Sequence, residues 1–296
     1  MRGVLLAAVL LHLSSPTAHS QQPAGSFNRP FRVIESIPGP ESVAVGPDGA
    51  WYVSAFGKFD NGADGAVYRV DPDKGTPEVY ARGLEDPCGL AFVGNTLWVA
   101  DRKGVYRVGK GKVELVYPAR LFPRELHFLN DLAVSRNGVL YVSDTGDSTA
   151  GGHGAVFRLV QGKRPVVVPG SDTVRAQSSV NGLFLGGSDD ALYTVGYRTG
   201  VLSVTDGKGK WRELARGLGA PDGIGAASDE AFYVSDNVGG DLLLVQRAGD
   251  TKPAKLASGL KAPADLVLDH RRGLLVVPEN DANRLSVYPV AGRHSH

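Results

Sequence analysis

Four residues of this 296-residue sequence carry side-chain oxygens at corresponding positions of a repeated motif. They are Glu41, Asn130, Asn181 and Asp222, and each is followed by a small or acidic residue and then by apolar ones. Two carboxylates and two amide carbonyls form an oxygen-only ligand set of the kind that suits Ca²⁺ or another hard divalent cation. The alternative is that strands simply begin with polar residues near solvent. The choice depends on whether the fold brings the four together.

The motif recurs six times and predicts the fold. Its first residues are Glu41, Cys88, Asn130, Asn181, Asp222 and Ala264, at spacings of 47, 42, 51, 41 and 42. After a turn, each copy continues into a β-rich run, namely Trp51-Tyr52-Val53, Leu97-Trp98-Val99, Leu140-Tyr141-Val142, Leu192-Tyr193-Thr194, Phe232-Tyr233-Val234 and Leu275-Val276-Val277. Two more short strands follow in each unit except the sixth. Four antiparallel strands in roughly 40 residues are typical of a β-propeller blade.

The sixth unit ends after its third strand, Arg284 to Tyr288, and one apolar segment, Phe31 to Ile37, stands alone before the first unit. We expect this segment to supply the missing strand, because a closed ring leaves no open sheet edge. The predicted fold is therefore all-β, a six-bladed β-propeller over residues 30–290 closed by an N-terminal strand. Equivalent positions of its blades surround one axis, so the four oxygen-bearing side chains should converge at the mouth of the central channel.

The N-terminal residues of the chain predict export. A basic Met1-Arg2, an apolar run from Val4 to Leu13 and the small-residue ending Ala18-His19-Ser20 are typical of a cleavable signal peptide. We assign 1–20 to that signal, 21–29 to a linker and 291–296 to a tail, and expect a secreted or periplasmic protein. No later stretch reaches the roughly 20 apolar residues of a membrane span, so no membrane insertion is expected.

The composition indicates which classes of partner to expect. The 32 basic residues are interspersed with 31 acidic ones, for a net charge of +1, which argues against a nucleic-acid surface. A small-molecule substrate is the expected partner. The single cysteine, Cys88, excludes a disulfide framework within the chain. The sequence has no zinc spacing, no G-x-S-x-G elbow and neither of the usual glycine-rich nucleotide loops.

Other polar residues have supporting roles or alternatives. An acidic residue closes the second strand of four blades, and we expect these to cap loops, with support of the site as the alternative; they are Asp101, Asp144, Asp236 and Glu279. His127 lies three residues before Asn130 and could act as a base, or be a packed or rim histidine. Cys88 occupies a ring position, but a nucleophilic role would need a nearby base and a lowered pKa.

The segments Gly39-Pro40-Glu41-Ser42-Val43-Ala44, Asn130-Asp131-Leu132-Ala133, Asn181-Gly182-Leu183 and Pro221-Asp222-Gly223 carry a resemblance. Over its whole mature length, the chain resembles the calcium-dependent six-bladed propellers that include gluconolactonase and regucalcin, paraoxonases, diisopropyl fluorophosphatase and strictosidine-synthase-like proteins. The resemblance implies metal ligation by Glu41, Asn181 and Asp222, with Asn130 as a fourth ligand or a substrate contact. We also expect Asp131 and Phe128 to contact substrate, and Asp222 or His127 to act in catalysis.

Two departures from the sugar-lactone members bear on the substrate. Ser42-Val43-Ala44 replaces their Gly-Pro-x-Trp and is closer to the strictosidine-synthase-like form, and Phe128 stands where some have arginine. A polyhydroxylated sugar lactone is therefore disfavoured, and Phe122 and Phe128 predict a less polar entrance.

Three functions remain open, since a propeller can also be a binding scaffold. The first is a Ca²⁺-dependent hydrolase of lactones, esters or related phosphoesters. The second is a lyase or a condensing enzyme, and the third a non-catalytic propeller that binds a ligand or partner.

Overall fold

The computed structural model describes residues 27, 29–147, 153–173, 179–186, 191–248 and 252–290. The predicted signal peptide and tail lie outside these residues, as does all of the predicted linker except residues 27 and 29. Within the described ranges, no helix is long and apolar enough to cross a membrane.

The described residues form six antiparallel four-stranded sheets, which confirms the predicted all-β propeller. Blade 1 contains β2 (Pro40–Val45), β3 (Trp51–Ala55), β4 (Gly65–Val70) and β5 (Pro77–Leu84). Blade 2 contains β6 (Leu90–Val93), β7 (Thr96–Asp101), β8 (Gly104–Gly109) and β9 (Lys112–Pro118). Blade 3 contains β10 (Leu129–Val134), β11 (Leu140–Asp144), β12 (Ala155–Leu159) and β13 (Val166–Val167).

Blade 4 contains β14 (Val180–Gly186), β15 (Ala191–Gly196), β16 (Val201–Thr205) and β17 (Trp211–Ala215). Blade 5 contains β18 (Pro221–Ser228), β19 (Ala231–Asp236), β20 (Asp241–Gln246) and β21 (Ala254–Ser258). Blade 6 contains β22 (Val267–Asp269), β23 (Leu274–Glu279), β24 (Arg284–Pro289) and β1 (Arg32–Glu35). In the described part of the chain, short 3₁₀ helices at Ala119–Leu121 and Asn280–Ala282 lie in the connections.

The ring closes as the sequence predicts. Strand β1 pairs antiparallel with β24 as the fourth strand of blade 6, with Val33 opposite Ser286. Apolar residues of blades 6 and 1 then pack across the seam, where Ile34 and Ile37 belong to one buried cluster with Trp51. The indole N–H of Trp51 in blade 1 also donates to Asp269 of blade 6, at 3.0 Å. The N-terminal strand is therefore part of the core.

The inner strands share an irregularity that matters for the site. In blades 1, 3, 4 and 5 the pairing of the first two strands shifts register immediately around the first motif residue, as between Pro40 and Val43 or between Leu129 and Leu132. Such a β-bulge places two residues opposite one and turns the side chains there. In blade 2, residues 88 and 89 precede β6, and the Cys88 N–H still bonds the Ala100 carbonyl. The backbone therefore follows a similar path there.

Candidate metal and substrate site

The four predicted ligands converge on one cavity of about 800 Å³. Glu41, Asn130, Asn181 and Asp222 all line it, and all are nearly inaccessible, at 3–6% exposure. The amide of Asn181 donates to Asp222 at 3.4 Å, which connects blades 4 and 5 directly. Residues from four blades thus meet at the position that the repeat predicts.

Each of these four side chains has a buried oxygen without a hydrogen-bond partner among the described residues. The atoms are Glu41 Oε2, Asn130 Oδ1, Asn181 Oδ1 and Asp222 Oδ1. A buried polar atom is rarely left unpaired, since its desolvation costs free energy. Four such oxygens on residues that line one cavity fit a hard cation, which would pair with all of them.

The electrostatics of the ring also fit a cation. Burial raises the pKa of Glu41 well above its usual range, and the charges of Asp222, Asp265 and Asp131 raise it further. Burial and the charge of Asp265 raise the pKa of Asp222 to about 8, against the opposing hydrogen bond from Asn181. A positive ion at the ring would favour the ionised form of both carboxyls.

The donor set depends on its two asparagines. Among the residues that the structure describes, no group of three or more His, Cys, Asp or Glu side chains could hold a metal ion. Of the four predicted ligands, only Glu41 and Asp222 belong to those types. Asn130 and Asn181 supply the remaining oxygens, and amide carbonyls are ordinary Ca²⁺ ligands.

Hydroxyl groups on the second strands fix the backbone of the ring. Ser143 accepts a hydrogen bond from the N–H of Asp131 in its own blade, at 2.9 Å, and donates to the carbonyl of Asn181 in the next blade, at 2.7 Å. Ser235 repeats this arrangement, accepting from the N–H of Gly223 and donating to the carbonyl of Ala264. Each serine therefore sets the position of one motif relative to the next.

The acidic residues at the ends of the second strands cap loops, as predicted. Asp144 accepts hydrogen bonds from the N–H groups of His127, Phe128 and Gly146. Asp236 accepts from those of Ala220 and Gly239. Asp101 and Glu279 accept likewise from loop N–H groups in blades 2 and 6. Because these loops lead into the inner strands, the caps hold the approach to each first motif residue.

The second motif position joins adjacent blades. Asp131 accepts from the N–H groups of Leu132 and of Leu183 in blade 4, both at 2.6 Å. Asp265 accepts from the Ser42 hydroxyl of blade 1 at 2.6 Å. Asp131 is 3% exposed and does not line the cavity, so its placement gives no support to the predicted substrate contact. Its role here is to connect blades.

Some blades have glycine at the second motif position, where neighbouring blades approach more closely. A Cβ added to Gly182 would lie 2.2 Å from the carbonyl oxygen of Asp222, and one added to Gly89 would lie 2.5 Å from the backbone nitrogen of Leu132. Contacts this short leave no space for a side chain. The small second residue of these motifs is therefore a packing requirement.

His127 and Phe128 both line the cavity, on the approach to β10. The His127 side chain is exposed and its backbone N–H is capped by Asp144, so it is a rim histidine within the site. Phe122, expected at the entrance, is instead 5% exposed and packs edge-on against Phe157 in the core. It follows a 3₁₀ turn that directs its ring inward between blades.

Cys88 lines the cavity but is poorly suited to nucleophilic attack. Its side chain is 1% exposed. Burial raises the pKa of the thiol well above its usual range, and the charges of Glu41, Asp101 and other carboxylates raise it further. The reactive species is the thiolate, which this environment disfavours at neutral pH.

Sequence reasoning missed several residues of the cavity wall. They are Phe56, Phe59, Thr145, Tyr197, Asn237 and Asn280. All lie in loops after the second strands, outside the repeated motif, so the repeat gave no signal for them. Thr145 directly follows the cap Asp144, and its buried hydroxyl has no hydrogen-bond partner in the described part of the chain.

Comparison with solved structures agrees with the fold. The chain is similar to a gluconolactonase from Xanthomonas campestris, with a TM-score of 0.70 and 16% identity, over 93% of this chain and 99% of that one. It is also similar to virginiamycin B lyase from Staphylococcus aureus, with a TM-score of 0.60 and 14% identity, over 87% of each chain. No protein-family model and no curated protein matches the sequence. At these identities the likeness establishes the fold alone.

Proposed function

We propose that this protein is an exported, Ca²⁺-dependent hydrolase of lactones, esters or related phosphoesters that acts at the mouth of the central channel. The observation that carries the proposal is the set of four buried, unpartnered oxygens of Glu41, Asn130, Asn181 and Asp222 facing one cavity. The likeness in fold to a gluconolactonase supports this reaction class.

The ring leaves room for chemistry. Ca²⁺ takes about six to eight oxygen ligands, and the four side chains supply one each or slightly more. The remaining positions are open to water and to substrate from the cavity. When bound, the ion would polarise a carbonyl or phosphoryl oxygen of the substrate. Glu41 and Asp222 would balance its charge, and the two asparagines would complete its protein ligands.

Two residues compete for the role of general base. Asp222 adjoins both the ring and the cavity, but a carboxylate that binds a cation has a lowered pKa and becomes a weaker base. It would have to act through its other oxygen, which accepts from Asn181. His127 is on the cavity wall outside the ring, where an unprotonated imidazole nitrogen could take a proton from a water molecule.

Metal analysis of the purified protein, paired with a substrate panel, tests the proposal. We expect about one Ca²⁺ per chain and hydrolysis of at least one class among lactones, aryl esters and phosphotriesters, abolished by chelator and restored by Ca²⁺. Asp222→Asn retains an oxygen ligand while removing the charge. If Asp222→Asn keeps activity and His127→Ala abolishes it, the histidine is the base.

The alternatives make opposite predictions. Bound Ca²⁺ without turnover on the whole panel would replace the hydrolase with a binding propeller. Turnover that chelator does not affect, with elimination or condensation products, would favour the lyase or condensing class. The likeness to virginiamycin B lyase makes product analysis part of the first experiment.

A further inference from the structure

One side of the cavity is aromatic. Phe56 and Phe59, in the loop between β3 and β4, line it together with Phe128 of blade 3. The ring centroids of Phe56 and Phe59 are 5.6 Å apart, and those of Phe59 and Phe128 are 5.8 Å apart. Phe59 is 51% exposed. These three side chains, here called the aromatic wall, present apolar surface beside the oxygen ring.

The exposed ring of Phe59 is held in place by charges. Arg102 of blade 2 bonds Asp60 at 2.7 Å and the buried Asp86 at 2.6 Å, and its guanidinium lies 5.8 Å from the Phe59 ring centroid. The N–H of Asp60 also donates to Asp86, at 3.0 Å. The loop is thus bonded to blade 2 through both the side chain and the backbone N–H of Asp60. A surface that is ordered before a ligand arrives loses less entropy on binding.

Much of the facing wall is polar, but several of its groups pair with protein. The Tyr197 hydroxyl donates to Asn237 at 3.0 Å, and the Asn237 amide donates to the Pro263 carbonyl at 3.3 Å. The Asn280 amide donates to the Pro40 carbonyl. A polyhydroxylated substrate would require many polar groups free to bind it. A substrate with one reactive polar group and an apolar arm makes fewer such demands.

We infer that the aromatic wall binds the apolar acyl or aryl arm of the substrate, while the reacting carbonyl or phosphoryl group lies at the oxygen ring. This inference rests on the proposed function for its reaction, but binding alone can test the arm. The cavity volume of about 800 Å³ is of the size that holds an ester or lactone with such an arm. Phe59 is the specificity-determining residue and Arg102 a positioning residue.

The binding test uses Ca²⁺-loaded protein and carboxylates that cannot be hydrolysed: acetate, butyrate, hexanoate and phenylacetate. We expect affinity by titration calorimetry to rise about fourfold for each methylene that is buried against the wall. Phe59→Ala should lower hexanoate and phenylacetate affinity about tenfold and acetate affinity at most about twofold. Phe31→Ala is the matched control, because Phe31 is 68% exposed next to β1, outside the cavity lining.

Arg102→Gln tests the positioning role. It should weaken hexanoate binding about threefold. A double variant with Phe59→Ala should bind hexanoate no worse than Phe59→Ala alone, because Arg102 acts by positioning the Phe59 side chain. Melting temperatures of all variants check that each remains folded.

The same carboxylate series and the corresponding p-nitrophenyl esters separate the two ideas. Chain-length dependence that Phe59→Ala removes, without hydrolysis of any lactone, ester or phosphotriester of the panel, would overturn the hydrolase and retain the arm site. Ester hydrolysis with equal kcat/KM for acetyl and hexanoyl groups, or equal losses in Phe59→Ala and Phe31→Ala, would overturn the arm site and retain the hydrolase.

Discussion

Replacing Asp222 by Asn should stabilise this protein in the absence of Ca²⁺ and weaken its stabilisation by Ca²⁺. Asp222 is 6% exposed and belongs to a ring whose carboxylates repel one another when no cation is bound. Asn has nearly the same shape and keeps a carbonyl oxygen, but it carries no charge. The variant therefore removes the repulsion and, at the same time, weakens the site for a divalent ion.

The size of the first effect follows from the pKa of Asp222, which is about 8 instead of the usual 3.8. One pKa unit corresponds to about 1.4 kcal/mol, so at pH 7.5 the displaced ionisation lowers the free energy of unfolding by at most about 5 kcal/mol. Relaxation and solvent in the cavity reduce this value. We expect Asp222→Asn to recover about half, roughly 2–3 kcal/mol, which raises the melting temperature by roughly 5–10 °C in chelator.

The second effect has the opposite sign. Ca²⁺ at one hundred times its dissociation constant should stabilise the wild type by about 3 kcal/mol through mass action. With one of the two charged ligands removed, the same concentration should stabilise Asp222→Asn by less than about 1 kcal/mol. Thermal melts at pH 7.5, in chelator and across a Ca²⁺ series, measure both effects in one experiment.

Asp265→Asn is the matched control for this experiment. Asp265 is also a buried carboxyl with a raised pKa, about 6, but its oxygens accept from Ser42 and Leu266 and it does not line the cavity. Its variant should keep most of the response to Ca²⁺. If Asp222→Asn melts no higher than the wild type in chelator and responds to Ca²⁺ as strongly, the ring does not hold the ion.

Three further predictions concern closure, pH and the support of the ring. Deleting residues 1–37 removes β1 and Ile37 from the core and should abolish cooperative melting, whereas deleting 1–26 should not; equal melting of the two chains would refute the closure. The melting temperature of the metal-free protein should fall as the pH rises from 5 to 8, because Asp222 and Asp265 ionise at lower pH in the unfolded chain than in the folded one. A melting temperature that stays constant or rises over this range in chelator would contradict this. Ser143→Ala should destabilise the fold by about 1–3 kcal/mol and weaken Ca²⁺ binding severalfold, as measured by calorimetry. The control Ser54→Ala, which loses bonds to Ser42 within one blade, should affect stability alone. Equal Ca²⁺ affinities of the two variants would refute the positioning role.

The fold could be predicted because its information is repeated. Six copies of one motif, each followed by a turn and a β-rich run, specify a blade six times, so an ambiguous copy is corrected by the others. The unpaired segment before Glu41 and the missing strand of the sixth unit together specify how the ring of blades closes. Phe122 is the counterexample among the apolar residues: its position near Phe128 in sequence suggested the entrance, but the turn at Ala119–Leu121 directs it into the core.

The ring of the site was predictable for the same reason, and its walls were not. Glu41, Asn130, Asn181 and Asp222 occupy one position of the repeat, so symmetry alone brings them together. Phe59 and Tyr197 lie in loops whose lengths differ from blade to blade, and symmetry places neither. Asp131 shows a further limit. It adjoins a ring residue in sequence, but the next residue of a strand points elsewhere, and its carboxylate reaches the backbone of blade 4.

The first motif position has an oxygen-bearing side chain in four blades and a small side chain in the other two. At the ring position, blades 2 and 6 have Cys88 and Ala264, which are as deeply buried as the ligands. Their backbone N–H groups bond the second strands of their blades, at Ala100 and Pro278. These two blades therefore present small side chains without an oxygen where the others present ligands. Ca²⁺ takes about six to eight oxygen ligands, so four would leave coordination positions free. Under the proposed function, Cys88 and Ala264 are therefore the two residues that keep those positions open to a substrate.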